Sequence, residues 1–233
     1  MEEPFRFNTI TEAIQDIKNG KMVIVVDDED RENEGDFLMA AELVTTEAIN
    51  FMVTHGRGLV CAPVTKDIAQ KFKLTHMVTE GADPDEANFT ISIDHKRLTT
   101  TGISAADRAN TIRELTSDDA KPVDFRRPGH VFPLLAVEGG VLRRAGHTEA
   151  AIDLARLSGL KPIGIICEIM NENGDMARVP DLIKMAKEFD MKLITIKDLI
   201  AYRNDNESLV HEVMDIKMPT MYGDFKLRAF EEN

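Results

Sequence analysis

The sequence predicts an α+β fold in which a mixed β-sheet is flanked by helices. Short apolar runs typical of buried strands alternate with segments whose apolar residues recur at helical spacing. The strands and helices are interspersed without a strict βαβ repeat, so we do not expect a purely parallel sheet. A chain of 233 residues is long enough to bury a sizeable core, and no internal repeat is visible along it.

Capping residues and apolar periodicity predict the elements of the N-terminal half. Thr9 and Glu12 have the spacing of a capping box, apolar residues follow at helical spacing, and Gly20 ends this first helix. A strand over 21–26 then leads into an acidic run. Further along the chain we expect a helix over 46–54, strands over 59–64 and 89–95, and a helix over 104–115 that begins with Ser104 and Asp107.

Strand-like and helical segments also alternate in the C-terminal half. We expect a strand over 130–137, a helix over 148–158 with Gly159 as its stop, and the longest strand over 162–169. The sequence NENG at 171–174 is a turn signal. Pro180 lies in the first turn of a helix that extends to residue 189, and a last strand covers 193–196.

The overall charge argues against two classes of partner. The formal net charge is −13 and the pI is near 4.9, whereas nucleic acids and anionic membranes require a basic face. Tryptophan is absent and there are only two tyrosines, so aromatic platforms for single-stranded nucleic acid are scarce as well. We therefore expect no nucleic acid and no membrane as partner. An anionic substrate is still compatible with this charge if Arg31 and Arg144 are local to its site.

Cysteine usage and apolar content indicate the compartment. Cys61 and Cys167 both lie in apolar, strand-like stretches, and the acidic start MEEPFRF has no apolar run of a secretory signal. No stretch approaches the roughly 18 consecutive apolar residues of a membrane span. These features predict a cytoplasmic protein with two reduced thiols in its core.

The run DDEDRENEGD over 27–36 is the most informative local feature. It holds seven carboxylates in ten residues and directly follows a predicted strand. Carboxylates this close repel one another unless water or cations neutralise the field, and hard divalent ions such as Mg²⁺ prefer oxygen ligands. Gly35 allows close approach of a ligand, and Arg31 is a ready partner for a phosphate or carboxylate oxygen. The alternative is a solvated acidic turn.

Four further motifs accompany this run in a fixed order. They are TTGISAADR at 100–108, RPGHVFPL at 127–134, RAGHTEAAIDLARLSG at 144–159 and CEIMNENGDMAR at 167–178. Together with the acidic run, over residues 5–203, they resemble 3,4-dihydroxy-2-butanone 4-phosphate synthase, a lyase of riboflavin biosynthesis. The resemblance implies a single catalytic domain of three α/β/α layers, a homodimer, and ribulose 5-phosphate as the substrate. The implied products are formate and 3,4-dihydroxy-2-butanone 4-phosphate.

The resemblance also implies the metal ligands and the groups that transfer protons. Glu32 matches the family's bridging metal ligand and His147 its second protein ligand, with Mg²⁺ or Mn²⁺ as the cofactor and two ions per site. Glu168 and His130 match groups essential for activity, and Glu34 matches a mobile acid near the metals. On the residues alone, His147 could instead be an ordinary helix-start residue, Glu34 a solvated side chain, and His130 a core histidine.

Substrate contacts are implied at the same motifs. Besides Glu32 and Glu168, the matching positions are Arg31, Asp36, Cys61 and Thr101. A phosphate clamp is expected where a loop enters a helix, because free N–H groups and the helix dipole favour an anion there. The residues of this clamp are Arg144, Ala145, Gly146, His147 and Thr148, and the alternative reading of Thr148 is an ordinary N-cap.

The C-terminal part is expected to be separate from the synthase domain of residues 1–205. Residues 206–233 begin as a charged linker, and the segment from Lys217 resembles the opening strand of GTP cyclohydrolase II. The cyclohydrolase zinc site needs several cysteines and none follows Cys167, so we expect no second activity in this chain. The sequence leaves open whether this is the synthase half of a bifunctional protein or a natural chain with a vestigial tail.

Two functions of other classes compete with the lyase. A non-catalytic module that only binds a sugar phosphate is expected to lack the acid–base set, yet Glu32, His130, His147 and Glu168 are all present. A calcium-buffering protein would need a twelve-residue ligand loop between helices, whereas the acidic run follows a strand. The sequence therefore favours a metal-dependent lyase.

Overall fold

The computed structural model describes residues 5–78, 87–208 and 210–232. Within these ranges the chain forms seven α-helices and nine β-strands. The helices are α1 (Ile10–Lys18), α2 (Thr46–Phe51), α3 (Lys66–Phe72), α4 (Ala105–Leu115), α5 (His147–Leu157), α6 (Val179–Glu188) and α7 (Ile196–Asn206). The strands are β1 (Val23–Val26), β2 (Gly35–Ala40), β3 (Cys61–Val64), β4 (Ile93–His95), β5 (Phe125–Leu135), β6 (Gly164–Glu168), β7 (Leu193–Thr195), β8 (Val210–Thr220) and β9 (Gly223–Glu232).

Seven strands form one mixed sheet in the order β4-β5-β3-β6-β2-β1-β7. The pairs β3–β5 and β1–β7 are parallel, and the other neighbours are antiparallel. The order places β2 and β6 at the centre of the sheet, although β6 follows β2 by more than a hundred residues of sequence. The prediction of a mixed sheet is confirmed.

Both faces of this sheet are covered by helices. Along β1, Ile24 and Val26 pack into one core cluster, and Val23 and Val25 pack into the cluster on the other face. Helices α1, α5 and α7 cover the face of Val23, while α2, α3, α4 and α6 contribute to the core on the other face. Strands buried on both faces are apolar throughout, without alternation. The α/β/α arrangement of three layers is therefore confirmed.

Several predicted boundaries differ from the structure. Strand β2 was not predicted, because it begins at Gly35 inside the acidic run, and α3 and α7 were not predicted either. Strand β5 begins at Phe125, ahead of the expected start at residue 130, since the edge strand β4 extends its pairing in that direction. The second helix is capped by Thr45 and continues after Phe51 as a π-helical turn.

The described C-terminal residues form a separate two-stranded hairpin of β8 and β9. Residues expected to be a linker are thus part of β8, which pairs with β9 from Val210↔Glu232 to Thr220↔Gly223. One face of the hairpin carries polar and charged residues, including the ion pair between Lys226 and Asp215 at 2.6 Å. The division of the chain into a synthase domain and a cyclohydrolase-like segment stays a prediction.

The helices of the described ranges are short. The longest of them, α4, α5 and α7, have 11 residues each. A helix that crosses a bilayer needs about 20 apolar residues. Within the described part of the chain, no helix is long and apolar enough to do so.

Candidate active site

The acidic run is organised by its first residue, Asp27. The Asp27 carboxylate is buried at the end of β1 and accepts the main-chain N–H of Glu34 at 2.8 Å and that of Glu32 at 3.2 Å. It also accepts Arg31 Nη1 at 2.9 Å. These donors compensate the buried charge and fold the loop back on itself. The sequence analysis did not single out Asp27, although its place directly after a buried strand is a signal for such a role.

Helix α6 holds the same loop from the outside. Its N-cap residue, Arg178, donates from Nη1 to the carbonyl of Glu32 at 2.8 Å and to the carbonyl of Asn33. The close packing continues at Gly35, where a Cβ atom would lie 2.3 Å from the Leu182 side chain of α6. A side chain at this position would have to displace Leu182, so glycine allows the start of β2 to pack closely against α6.

Asp27, Glu32 and His147 form a possible metal-binding group. One ligand atom from each residue lies within 4.8 Å of the other two. Opposite ligands of one Mg²⁺ ion, each at about 2.1 Å, are about 4.2 Å apart, so small side-chain movements suffice to bind an ion. Two carboxylates and one imidazole are a donor set that suits Mg²⁺ or Mn²⁺ better than a soft metal.

The environment of His147 prepares its imidazole to act as a ligand. Nε2 lies 3.1 Å from the Val25 carbonyl, which only accepts, so Nε2 carries the proton and Nδ1 keeps its lone pair. Burial lowers the pKa of His147, and the nearby Asp27 and Glu32 oppose this shift only in part. The ring is therefore neutral near pH 7, as metal binding requires.

Asp36 and Glu168 face each other across β2 and β6, where they are paired in register. Asp36 is buried, and burial together with the Glu168 charge raises its pKa well above the usual 3.8. Glu168 is half-buried at the end of β6, and its Oε2 accepts the main-chain N–H of Leu59 at 2.8 Å. A Cβ atom at Gly58 would lie 2.6 Å from this oxygen, so glycine makes the approach possible.

Glu34 and Arg31 lie on either side of Glu32 in the loop. Burial and the Glu32 charge raise the pKa of Glu34. Arg31 donates to Glu32 Oε2 at 2.7 Å in addition to its bond with Asp27, so its guanidinium orients the proposed ligand. In the acidic run, hydrogen bonds compensate the charge of Asp27, whereas the pKa of Glu34 is raised because its charge is less well compensated.

Cys61 lies at the start of β3, between the strands that carry the acid–base candidates. It is buried, and burial followed by the charges of Glu168 and Asp36 raises the pKa of its thiol. Burial and the same two carboxylates raise the pKa of Cys167 to about 12. Both thiols are free and protonated near neutral pH, so neither is a ready nucleophile.

His130 occupies the neighbouring strand β5 at the same level of the sheet. Cys61 pairs with Phe132 on β5 and with Ile166 on β6, and β5 is parallel while β6 is antiparallel to β3. His130 precedes Phe132 by two residues and Glu168 follows Ile166 by two, so both lie on the same side of Cys61. The sheet register thus aligns His130 with Glu168.

Thr101 is an exposed residue in the loop that precedes α4. The Asp107 carboxylate of α4 accepts the main-chain N–H groups of Thr100 at 3.0 Å and Gly102 at 2.9 Å, which fixes this loop. A Cβ atom at Gly102 would lie 2.5 Å from His130 Nδ1. The loop therefore packs against His130 at Gly102, the residue that follows Thr101.

The segment RAGHT forms the entry to α5. Gly146 is the N-cap residue and makes no side-chain capping bond, so the reading of Thr148 as the N-cap is wrong. Thr148 is buried and Ala145 is exposed. Arg144 Nη1 donates at 2.9 Å to Glu149, a buried carboxylate that the sequence analysis did not include. This bond orients the arginine at the helix N-terminus.

A comparison with protein families and known proteins gives consistent matches. The family model described as 3,4-dihydroxy-2-butanone 4-phosphate synthase matches residues 11–202. "Riboflavin biosynthesis protein RibBA" of Bacillus cereus (strain B4264) is 60% identical over 219 residues, which are 94% of this chain and 55% of the relative. The corresponding protein of Bacillus cytotoxicus is 58% identical over the same shares. The chain thus spans about half the length of these curated relatives.

Two solved structures are similar over most of the chain. RibBX, a two-domain 3,4-dihydroxy-2-butanone 4-phosphate synthase from A. baumannii, has a TM-score of 0.88 and 47% identity, covering 97% of this chain and 66% of that one. A 3,4-dihydroxy-2-butanone 4-phosphate synthase in complex with two magnesium ions has a TM-score of 0.82 and 46% identity. That match covers 86% of this chain and 98% of the other.

Proposed function

Because the chain belongs to the 3,4-dihydroxy-2-butanone 4-phosphate synthase family, we propose that it converts D-ribulose 5-phosphate to L-3,4-dihydroxy-2-butanone 4-phosphate and formate. The two products together contain all the atoms of the substrate, so the reaction needs no oxidant, reductant or second substrate. It is the reaction of a carbon–carbon lyase, and it supplies riboflavin biosynthesis. The observation that carries the proposal is the group of Asp27, Glu32 and His147 beside the carboxyl pair of Asp36 and Glu168.

Glu32 and His147 would bind the divalent cation, with Asp27 next to them. Mg²⁺ or Mn²⁺ suits their oxygen-rich donor set, and the related structure with two magnesium ions supports two ions per site. When bound, the metal supplies Lewis-acid stabilisation of negative charge on substrate oxygens. Arg31 and the Val25 carbonyl orient the two ligands before any ion arrives.

Four residues would move the protons of the reaction. Glu168 carries its carboxylate to the end of β6 and is held there by the Leu59 N–H. His130 reaches the same level of the sheet from β5, and Glu34 lies in the loop that carries Glu32. The raised pKa of Asp36, caused by burial and by Glu168, makes Asp36 suited to donate a proton to a substrate oxygen.

The substrate would lie beside these proton-transferring residues. Arg31, Asp36, Cys61 and Thr101 are the proposed contacts of its hydroxyl and carbonyl groups. The phosphate would bind at the N-terminus of α5, to the segment formed by Arg144, Ala145, Gly146, His147 and Thr148. N–H groups at a helix start are unpaired by the helix itself, and Arg144 adds a positive charge beside them.

We further propose a cytoplasmic homodimer in which residues 1–205 carry the activity. The family resemblance supports the dimer, and the net charge of −13 supports the absence of nucleic acid or an anionic membrane among its partners. Light scattering should give about twice the chain mass of 26.1 kDa. A monomer with full activity would contradict the proposed dimer.

The function is tested by incubating the purified chain with ribulose 5-phosphate and Mg²⁺ and measuring formate. We expect formate release that stops with a chelator and returns when Mg²⁺ or Mn²⁺ is added. Glu32→Gln should abolish it. Asp30→Asn is the matched control, because it removes one charge from an exposed residue of the same loop. Binding of ribulose 5-phosphate by the native chain without any formate would favour the non-catalytic module instead.

A further inference from the structure

Asp94 on β4 and His130 on β5 form a close pair at the edge of the sheet. The imidazole Nδ1 lies 2.8 Å from Asp94 Oδ2, and the main-chain N–H of His130 donates to Asp94 Oδ1 at 2.9 Å. The Asp94 side chain is 1% exposed, whereas that of His130 is 42% exposed. A buried carboxylate therefore holds both the backbone and the ring of a histidine whose far side is open.

The chemistry of this pair determines which ring nitrogen carries the proton. An ionised carboxylate only accepts hydrogen bonds, so Nδ1 must donate to Asp94. The neutral ring then keeps a lone pair on Nε2, which points away from Asp94. Within the described part of the chain, no residue hydrogen-bonds to Nε2. This nitrogen can accept a proton from a bound molecule.

Neighbouring residues restrict the positions of the Asp94 and His130 side chains. Arg126 Nη2 lies 3.3 Å from Asp94 Oδ2 and also donates to the Thr100 carbonyl at 3.1 Å. A Cβ atom at Gly102 would lie 2.1 Å from Asp94 Oδ2, and one at Gly129 would lie 2.0 Å from the backbone of Ile93. Two glycines thus allow the backbone to close around the carboxylate, and the imidazole is fixed in position.

We propose that Asp94 is the positioning residue of His130. It orients the ring, selects the tautomer with the proton on Nδ1, and stabilises the imidazolium that forms when Nε2 takes a proton from the substrate. Asp94 itself acts through the ring and does not touch the substrate. This inference rests on the proposed function for its catalytic part, while the tautomer and orientation of His130 can be measured without any turnover.

The test is Asp94→Asn, which keeps the shape of the side chain. With Oδ1 still accepting the His130 N–H, the new amide N–H₂ faces Nδ1 and donates to it, so the proton of the ring moves to Nε2. We expect formate release to fall by about 10²-fold or more, with substrate affinity nearly unchanged. ¹⁵N chemical shifts of the His130 ring should show an Nδ1-protonated tautomer in the native protein and an Nε2-protonated one in the variant.

Asp153→Asn is the matched control. Asp153 is also a buried aspartate that accepts one main-chain N–H, from Val141 at 2.8 Å, and one arginine, Arg203 at 2.8 Å. Among the described residues, no imidazole contacts it. Asp153→Asn should leave turnover per folded molecule unchanged. In a His130→Gln background, Asp94→Asn should add less than a further threefold loss, since Asp94 acts only through the ring.

Three results would overturn the inference. They are an Nε2-protonated ring in the native protein, normal turnover by a folded Asp94→Asn variant, and an equal loss of activity from that change with or without His130. The native spectrum decides the question even if the variant does not fold. Failure of the native chain to release formate would count against the proposed function, while the tautomer measurement would still decide the role of Asp94.

Discussion

Asp36 and Glu168 are directly opposite each other on adjacent strands at the centre of the sheet. Two carboxylates in this arrangement cannot easily ionise together, and burial combined with the Glu168 charge raises the pKa of Asp36 well above its usual value. The pair therefore provides one acid that retains its proton at a higher pH than an ordinary aspartate. Because it lies beside the group of Asp27, Glu32 and His147, its protonation bears on both stability and turnover.

Replacing Glu168 by glutamine should separate catalysis from structure. Glu168→Gln keeps the shape of the side chain and its bond from the Leu59 N–H, but it removes the proton-carrying group. We expect turnover to fall by roughly 10²–10⁴-fold, with little change in ribulose 5-phosphate affinity. Formate release, substrate binding and melting temperature should be measured on one preparation. A variant that melts early but turns over normally would make Glu168 a purely structural residue.

Asp36→Asn should stabilise the metal-free protein in a pH-dependent way. The folded-state pKa of Asp36 is raised, mainly by burial and then by Glu168, so at high pH the folded state contains an unfavourable buried charge. As the pH falls through this raised pKa, the native protein takes up a proton and regains stability, until the unfolded chain is protonated too, near the usual 3.8. The variant has no such charge at any pH.

The expected gain in the free energy of unfolding is at least about 1 kcal/mol at alkaline pH, and it should shrink as the pH falls. Urea unfolding at several pH values, with a chelator present throughout, measures it. Asp107→Asn serves as the control, because the hydrogen bonds from Gly102 and Thr100 outweigh burial and lower the pKa of Asp107, so the loss of its charge should destabilise the protein. A gain for Asp36→Asn that grows towards acidic pH would contradict the assigned shift.

The bond from Arg178 to the acidic loop should support metal binding. Arg178→Gln removes the donor to the carbonyls of Glu32 and Asn33, so the loop loses an anchor while all proposed ligands remain. We expect Mg²⁺ affinity to fall by roughly 10-fold or more, as for other residues that orient metal ligands, with the melting temperature nearly unchanged.

Calorimetric titration with Mg²⁺ measures the Arg178 effect. Arg113→Gln is the control, because Arg113 also donates to a main-chain carbonyl, that of Val44 at 2.7 Å, but away from the loop. Equal Mg²⁺ affinity of the Arg178 variant and the native chain would show that the loop holds its shape without α6.

If the C-terminal hairpin is deleted, the stability of the remaining chain should depend on whether Glu207 is kept. Glu207 accepts Arg203 Nη2 at 2.8 Å and Arg156 Nη2 at 2.7 Å, and Arg203 is buried. A chain that ends at Ser208 should therefore keep both its stability and its formate release. A chain that ends at Asn206 should lose about 1–3 kcal/mol of unfolding free energy, because Arg203 loses one of its acceptors. Thermal melts and formate assays compare the two, and a large loss of activity on ending at Ser208 would show that the hairpin contributes to the site.

Interactions between residues close in sequence made much of the secondary structure predictable. The capping box of Thr9 and Glu12 is present, Ser104 caps α4 by accepting the Asp107 N–H, and the apolar run at 23–26 is a buried strand. Each of these features depends on residues within a few positions of one another, so the sequence contains all the information needed. The motifs that identify the family are likewise readable without coordinates.

The start of β2 depends on distant partners. Strand β2 begins at Gly35 because Glu168 and Leu182 lie against it, and neither is near it in sequence. The capping role of Gly146 was not predicted either, although the Arg144–Glu149 bond that packs against this glycine is local in sequence.

The sequence by itself determined the residue types of the site, the mixed sheet and the family. Only the tertiary structure decided how those residues meet: Asp27 as the organiser of its loop, Arg178 as its outer anchor, and Asp94 as the partner of His130. The physical reason is that hydrogen bonds and pKa shifts depend on distances of a few ångströms between groups far apart in the chain. Strand register and helix packing set those distances, and they follow from the cooperative packing of the whole core.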